Sequence, residues 1–321
     1  MEGITNLGST CAINSLIQII TRNDDLRNLI LNSNVSTNTF TSEFKEILDL
    51  LHNQHKNINP IKFINYFYTT FKDIFNKHEQ IDINELWFYF YKKINEETSY
   101  NSLNNNSLNS ISNIHEEHNY KLNIYNENKE SELMKLVQGS YINIIECSNC
   151  KNKTHSFEPF ITLNLDIIDN ENISIVDLII NALNNEYREK DDWVCDNCNG
   201  KHAYVKTTRI WKLPKLLFIS LNRFKEFNKK NNTEVIINNN LNFNKGSIIN
   251  ENKDIILNLE SIGLHYGDIY GGHYKALCNM KNGNYHLFND DNINIITEEN
   301  LFKDFKSSNA YLLLYNNIDS S

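Results

Sequence analysis

Gly3-Ile4-Thr5-Asn6-Leu7-Gly8-Ser9-Thr10-Cys11-Ala12-Ile13-Asn14-Ser15 stands near the start of the chain, and Tyr270-Gly271-Gly272-His273-Tyr274-Lys275-Ala276, then Tyr285-His286-Leu287-Phe288-Asn289-Asp290-Asp291, stand near its end. Together they offer a thiol, an imidazole and polar side chains to orient that imidazole, which is what a cysteine proteinase needs. The two segments lie at opposite ends of 321 residues. A fold that uses both must bring its ends together.

Around the first segment, Cys11, Ile13, Leu16, Ile17 and Ile20 form a helical stripe over residues 10–22, behind a turn at Gly8. Ser9 and Thr10 read as N-caps. Cys11 then sits at a helix N-terminus, where the dipole is expected to lower a thiol pKa. An isolated cysteine is more often a buried core thiol. The glycine turn, the helix N-terminus and Asn6, whose amide can face a developing oxyanion, point instead to a nucleophile. Cys278, in an apolar strand-like run, reads as a core thiol.

Ten histidines compete for the role of base. His52, His55, His78, His115, His118, His202 and His286 lie in polar or helix-surface contexts and read as solvated. His155 and His265 read as structural. His273 opens a strand behind Gly271-Gly272, which permits close approach of backbone or ligand. Its ring needs a partner, expected at Nδ1. Asn282-Gly283-Asn284 is a hairpin signal, and paired strands would bring Asn289 or Asp290 beside it.

The remaining composition narrows the class. Net charge is −9 and the pI about 5.6, which disfavours broad nucleic-acid binding. No apolar run is long enough to span a membrane, and no secretory signal is seen. The expected setting is a reducing one, cytoplasmic or nuclear, and the expected state a monomer. Cys147-x-x-Cys150 and Cys195-x-x-Cys198 read as two metal knuckles forming one closed, structural zinc site, with no catalytic cofactor.

Residues 40–52, 60–76 and 82–97 read as further helices, and 99–113 as an Asn-rich insertion. From about 137 the pattern turns to β, with strands at 141–145, 161–165, 216–221 and 310–315 and a short helix at 174–185. Helices first and sheet later make the class α+β.

Residues 3–15, 272–276 and 285–290 resemble the cysteine and histidine boxes of the ubiquitin-specific proteases, deubiquitinating thiol hydrolases. Val137-Gln138-Gly139, both cysteine pairs, Phe157-Glu158-Pro159-Phe160 and Leu221-Asn222-Arg223-Phe224 also match, in the family's order from residue 3 to about 315. The resemblance implies one papain-like catalytic domain over 1–321. Its helical thumb is about 1–135, its zinc-bearing β fingers about 136–160 and 190–212, and its β palm about 161–189 and 213–321.

It further implies Cys11 as nucleophile, His273 as base, Asn289 as third triad member, Asp290 as a supporting acid and Asn6 as oxyanion donor. Gln80 to Leu86 resembles the family's Q-Q-D-A-x-E-F helix. Asp82 and Glu85, three apart on one helix face, would meet the arginines of ubiquitin's tail. Tyr274 and Gly272 would flank the channel for its terminal glycines. The partners implied are ubiquitin and ubiquitinated proteins. Departures are Ala12-Ile13 for Tyr-Met, Ile81 for Gln, Tyr285 for Trp, and a neutral Asn289. A ubiquitin-binding pseudoenzyme, a protease of a ubiquitin-like modifier and a zinc-ribbon nucleic-acid binder are the alternatives.

Overall fold

A computed structural model describes residues 2–53, 58–102, 112–168, 170–183, 185–188, 193–224, 229–245, 247–268, 271–297 and 305–317. Most of the Asn-rich insertion lies outside the described residues, as do His55, Asp191, Asp192 and Tyr270. No described helix is long and apolar enough to cross a membrane.

The first part is helical: α1 (Cys11–Arg22), α2 (Asp24–Asn32), α3 (Phe40–Asn53), α4 (Ile61–Thr70), α5 (Ile83–Thr98), α6 (Ile114–Tyr125) and α7 (Glu132–Val137). On either side of α6, β1 (Tyr100–Asn101) pairs antiparallel with β2 (Lys129–Glu130). The helix expected over 60–76 stops at Thr70, and residues 71–74 are turns. Asp82 is the N-cap of α5 and not its first turn, accepting from the N–H of Asn84 at 2.8 Å and of Glu85 at 3.0 Å.

Two sheets follow. The smaller has order β4–β3–β7–β6, from β3 (Gly139–Cys147), β4 (Lys153–Phe160), β6 (Asn185–Arg188) and β7 (Tyr204–Lys212). The larger takes in β5 (Leu163–Asp166), β8 (Leu216–Asn222), β10 (Asn240–Phe243), β11 (Ile255–Gly267), β12 (Gly272–Asn279), β13 (Asn284–Asn289), β14 (Asn292–Thr297) and β16 (Ala310–Asn317). Helix α8 (Ile175–Ala182) follows β5, and β9 (Val235–Ile236) pairs with β15 (Lys306–Ser307).

The large sheet separates two cores, because successive strand side chains face opposite ways. Leu216, Phe218, Leu312 and Leu314 face the helices, while Leu217, Ile219, Leu313 and Tyr315 face the other side. Trp87 of α5 stacks on Phe218 with centroids 4.1 Å apart, fixing helices to sheet. Helix α1 lies between β12 and the other helices, so Cys11 to Thr21 are all buried, not only the expected stripe. The first residues run back to the β13–β14 turn, where the Ile4 N–H donates to the Asp290 carbonyl at 2.9 Å. That closure joins the two ends of the chain.

Candidate active site

Cys11 is the first residue of α1 and only 3% exposed. The backbone N–H groups of Tyr274, next to His273 in β12, and of Ala12 and Cys11 favour its thiolate form. Thr10 holds the N-cap position but makes no side-chain cap, which corrects the expectation. The thiol pKa also moves against expectation. Burial pushes it up, the Asp290 charge adds to the rise, and the backbone N–H groups oppose it without prevailing. Gly8, at φ +105°, makes the left-handed turn that feeds the helix.

The β12–β13 hairpin brings His273 and Asn289 to one end of the sheet. Asn289 Oδ1 lies 2.6 Å from Nε2 of His273, not from Nδ1 as expected. An amide oxygen only accepts, so Nε2 carries a proton, and in the neutral ring the lone pair is on Nδ1. Nδ1 is therefore the nitrogen able to receive a thiol proton. Asp290 is farther from the ring, at 3.9 Å, and its carboxylate is engaged elsewhere. It accepts from Asn6 Nδ2 at 2.9 Å and from Asn14 Nδ2 at 2.8 Å.

His265 is buried beside Tyr274, with ring centroids 4.7 Å apart, and burial presses its pKa down to about 4. It is structural, as expected. It also accounts for Gly272: a Cβ there would lie 2.2 Å from His265 Nε2. His118 and His286 are buried, contrary to the expectation that they are solvated. His118 Nε2 pairs with Ser140 Oγ at 2.9 Å. Cys278 is a fully buried core thiol.

Asp82 and Glu85 both line a cavity of about 1010 Å³, with Phe88, Tyr125, Phe160 and Tyr311. The Tyr311 hydroxyl donates to the second oxygen of Asp82. Burial, then the neighbouring Asp82 charge, raises the Glu85 pKa. Tyr274 is buried beneath the start of α5 and does not line that cavity.

The four paired cysteines converge at the tip of the small sheet. Their sulfurs all lie within 4.8 Å of one another, with Cys147–Cys198 at 4.0 Å and Cys150–Cys195 at 3.5 Å. The two turns have the same form. Lys151 N–H donates to the Cys147 carbonyl and Asn199 N–H to the Cys195 carbonyl, with Lys151 and Asn199 both left-handed. The Asn152 N–H helps to hold the Cys150 thiol down to about 6. Four thiols so arranged can hold one metal ion.

The ubiquitin carboxyl-terminal hydrolase family matches residues 2–315. The chain belongs to that family. Ubiquitin carboxyl-terminal hydrolase Usp2 of Drosophila melanogaster is 25% identical, covering 98% of this chain and 34% of its own length. Human ubiquitin carboxyl-terminal hydrolase 2 is 24% identical, over 98% of this chain and 55% of its own. The chain thus spans between a third and just over half of these relatives. Among solved structures, the SAGA DUB module Ubp8/Sgf11/Sus1/Sgf73 bound to monoubiquitin has a similar fold, with TM-score 0.76 and 24% identity over 98% of this chain and 69% of the matched one. The same module bound to ubiquitin aldehyde gives 0.74 and 25%, over 98% and 69%.

Within the family's cysteine box, Asn14 shows no role in the sequence alone and Thr10 reads as a cap. Both bond to the groups around Asn6. The signal for Asn14 was its spacing, three residues after Cys11 on one helix. Tyr311 carried no local signal. Its contact with Asp82 joins residues 229 apart.

Proposed function

We propose that this chain is a cysteine-type deubiquitinase, hydrolysing the isopeptide or peptide bond after the C-terminal glycine of ubiquitin. The observation that carries this reading is the 2.6 Å His273–Asn289 pair, which engages Nε2 and not Nδ1, set beside the Cys11 helix in a chain of this family. Cys11 gives its proton to His273 and its sulfur attacks the glycine carbonyl. The Asn6 amide and the backbone N–H groups at Cys11 stabilise the oxyanion. His273 protonates the leaving amine, then takes a proton from the water that hydrolyses the thioester. Asn289 holds the ring, and Asp290 supports Asn6.

Asp82 and Glu85 receive the basic tail of ubiquitin, and Gly272 and Tyr274 shape the passage for its terminal glycines. The helices form the thumb, the small sheet the fingers and the large sheet the palm. The fingers carry zinc. A tetrahedral Zn–S₄ site with bonds of about 2.3 Å separates its sulfurs by about 3.8 Å, and the 3.5 and 4.0 Å pairs bracket that value. The ion closes the fingers and takes no part in the reaction. The protein acts as a monomer in a reducing compartment, cytoplasmic or nuclear, on ubiquitinated proteins.

The test is turnover of a ubiquitin C-terminal fluorogenic amide by wild type, Cys11→Ala and His273→Ala. Turnover lost in both variants supports the reading. Tight ubiquitin binding by an inactive wild type would make the chain a pseudoenzyme. Neither turnover nor binding would redirect the search to another modifier.

A further inference from the structure

We propose that Thr10 and Asn14 are positioning residues that hold the Asn6 carboxamide ready for the oxyanion. The proposal rests on the deubiquitinase reading, with Asn6 as oxyanion donor. Asn6 is exposed, and an exposed asparagine is ordinarily free to rotate. Here both ends of its amide are held. Its Oδ1 accepts from the Thr10 hydroxyl at 3.1 Å, and its Nδ2 donates to Asp290 Oδ2 at 2.9 Å.

The direction of each bond follows from the inventory of donors. The carboxylate of Asp290 only accepts, so Asn6 and Asn14 both present their nitrogens to it. That fixes which end of the Asn6 amide is carbonyl. The Thr10 hydroxyl, which also accepts the Leu7 N–H at 3.0 Å, therefore gives its proton to that carbonyl. One hydrogen on Asn6 Nδ2 meets Asp290 and the other remains for substrate.

Asn14 completes the clamp. Its Nδ2 reaches Asp290 Oδ1 at 2.8 Å and also lies 3.3 Å from the Ile4 carbonyl. Thr10 and Asn14 are each 2% exposed, so the mobile-looking Asn6 is held by an immobile frame. Cys11 and Asn14 share α1, which ties the nucleophile and the clamp to one rigid element. Oxyanion stabilisation depends on donors that need no rearrangement as charge develops. Loosening the frame therefore slows the chemical step and leaves ubiquitin binding alone.

The test is a double-mutant cycle on the full chain with the ubiquitin amide. Thr10→Val, Thr10→Ser and Asn14→Asp are each measured alone and with Asn6→Ala. Thr10→Val is expected to lower kcat about tenfold, less than removal of a donor outright, with KM unchanged. Thr10→Ser restores the rate. Asn14→Asp sets a second carboxylate against Asp290 and lowers kcat likewise. In the Asn6→Ala background, Thr10→Val and Asn14→Asp cost nothing further. Alkylation of Cys11 by iodoacetamide, which forms no oxyanion, is unchanged in Thr10→Val.

Equal losses with and without Asn6, or unchanged kcat in the folded variants, would overturn the proposal. If Thr10→Val fails to fold by thermal melting, the Asn14→Asp cycle decides. A wild type that binds ubiquitin without turnover defeats the deubiquitinase reading and this proposal with it. An active wild type with an additive cycle defeats this proposal alone.

Discussion

Asn289 Oδ1 lies 2.6 Å from Nε2 of His273, and this contact assigns the ring its tautomer. Asn289→Ala frees the imidazole to rotate and to protonate at the wrong nitrogen. kcat on the ubiquitin amide is expected to fall about 10²-fold, within the range for general acid–base catalysis. Asn289→Asp keeps the acceptor and adds a charge that favours imidazolium, so activity is retained. A wild-type rate in Asn289→Ala would remove Asn289 from the site.

Burial first, and Asp290 next, hold the Cys11 thiol above its ordinary value in the free protein. The rate of iodoacetamide alkylation against pH should therefore have its midpoint above about 8.5, the value for a free cysteine. Asp290→Asn removes a like charge, so its midpoint moves down. An upward move would contradict the arrangement.

Glu85 carries a raised pKa because of burial and then the Asp82 charge. A raised carboxyl takes up its proton earlier as pH falls from neutrality, above the ordinary value of about 4.3. On the proposed reading, Glu85 binds a cationic tail in its ionised form. KM for the ubiquitin amide should rise on the acid side and be less pH-dependent in Glu85→Gln.

The Tyr311 hydroxyl bonds to Asp82 at the cavity wall. Tyr311→Phe leaves that carboxylate with its two helix-cap bonds but without this anchor. KM is expected to rise up to about tenfold with little change in kcat, as for loss of a single hydrogen bond. Steady-state kinetics check it, and a fall in kcat alone would place Tyr311 with the reacting groups.

Metal analysis of the purified chain should find one zinc, held by the single four-cysteine group among the described residues. Cys195→Ala loses it and melts at lower temperature, because such a site couples binding to folding. Cys278→Ala keeps the metal, since that thiol is in the core. Full zinc content in Cys195→Ala would refute the site.

Gly272→Ala would set a Cβ 2.2 Å from His265 Nε2. Overpacking of this kind typically costs about 1–3 kcal/mol. A lower melting temperature and reduced activity are expected, and an unchanged melt would show that His265 yields.

The main helices were legible because apolar residues recur at helical spacing, and α1, α3 and α5 fall within one residue of their expected ends. Helix α6 was not read, since only His118 is buried along it. The cysteine pairs were legible because a short spacing in sequence dictates closeness in space. His118 and His286 were misread because burial depends on what packs over a residue, and that comes from distant segments.

The linear chain specified the α+β class, the two segments that must meet, and the residue types able to do the chemistry. It did so through periodicity, spacing and motif, which are properties of neighbouring residues. Folding sets the rest: Nε2 faces Asn289, the Cys11 thiol is raised, and Asp290 accepts from Asn6 and Asn14. Each of these depends on distance and direction between groups that the chain brings together only by folding. Hydrogen bonds and desolvation act over a few ångströms, whatever the separation in sequence.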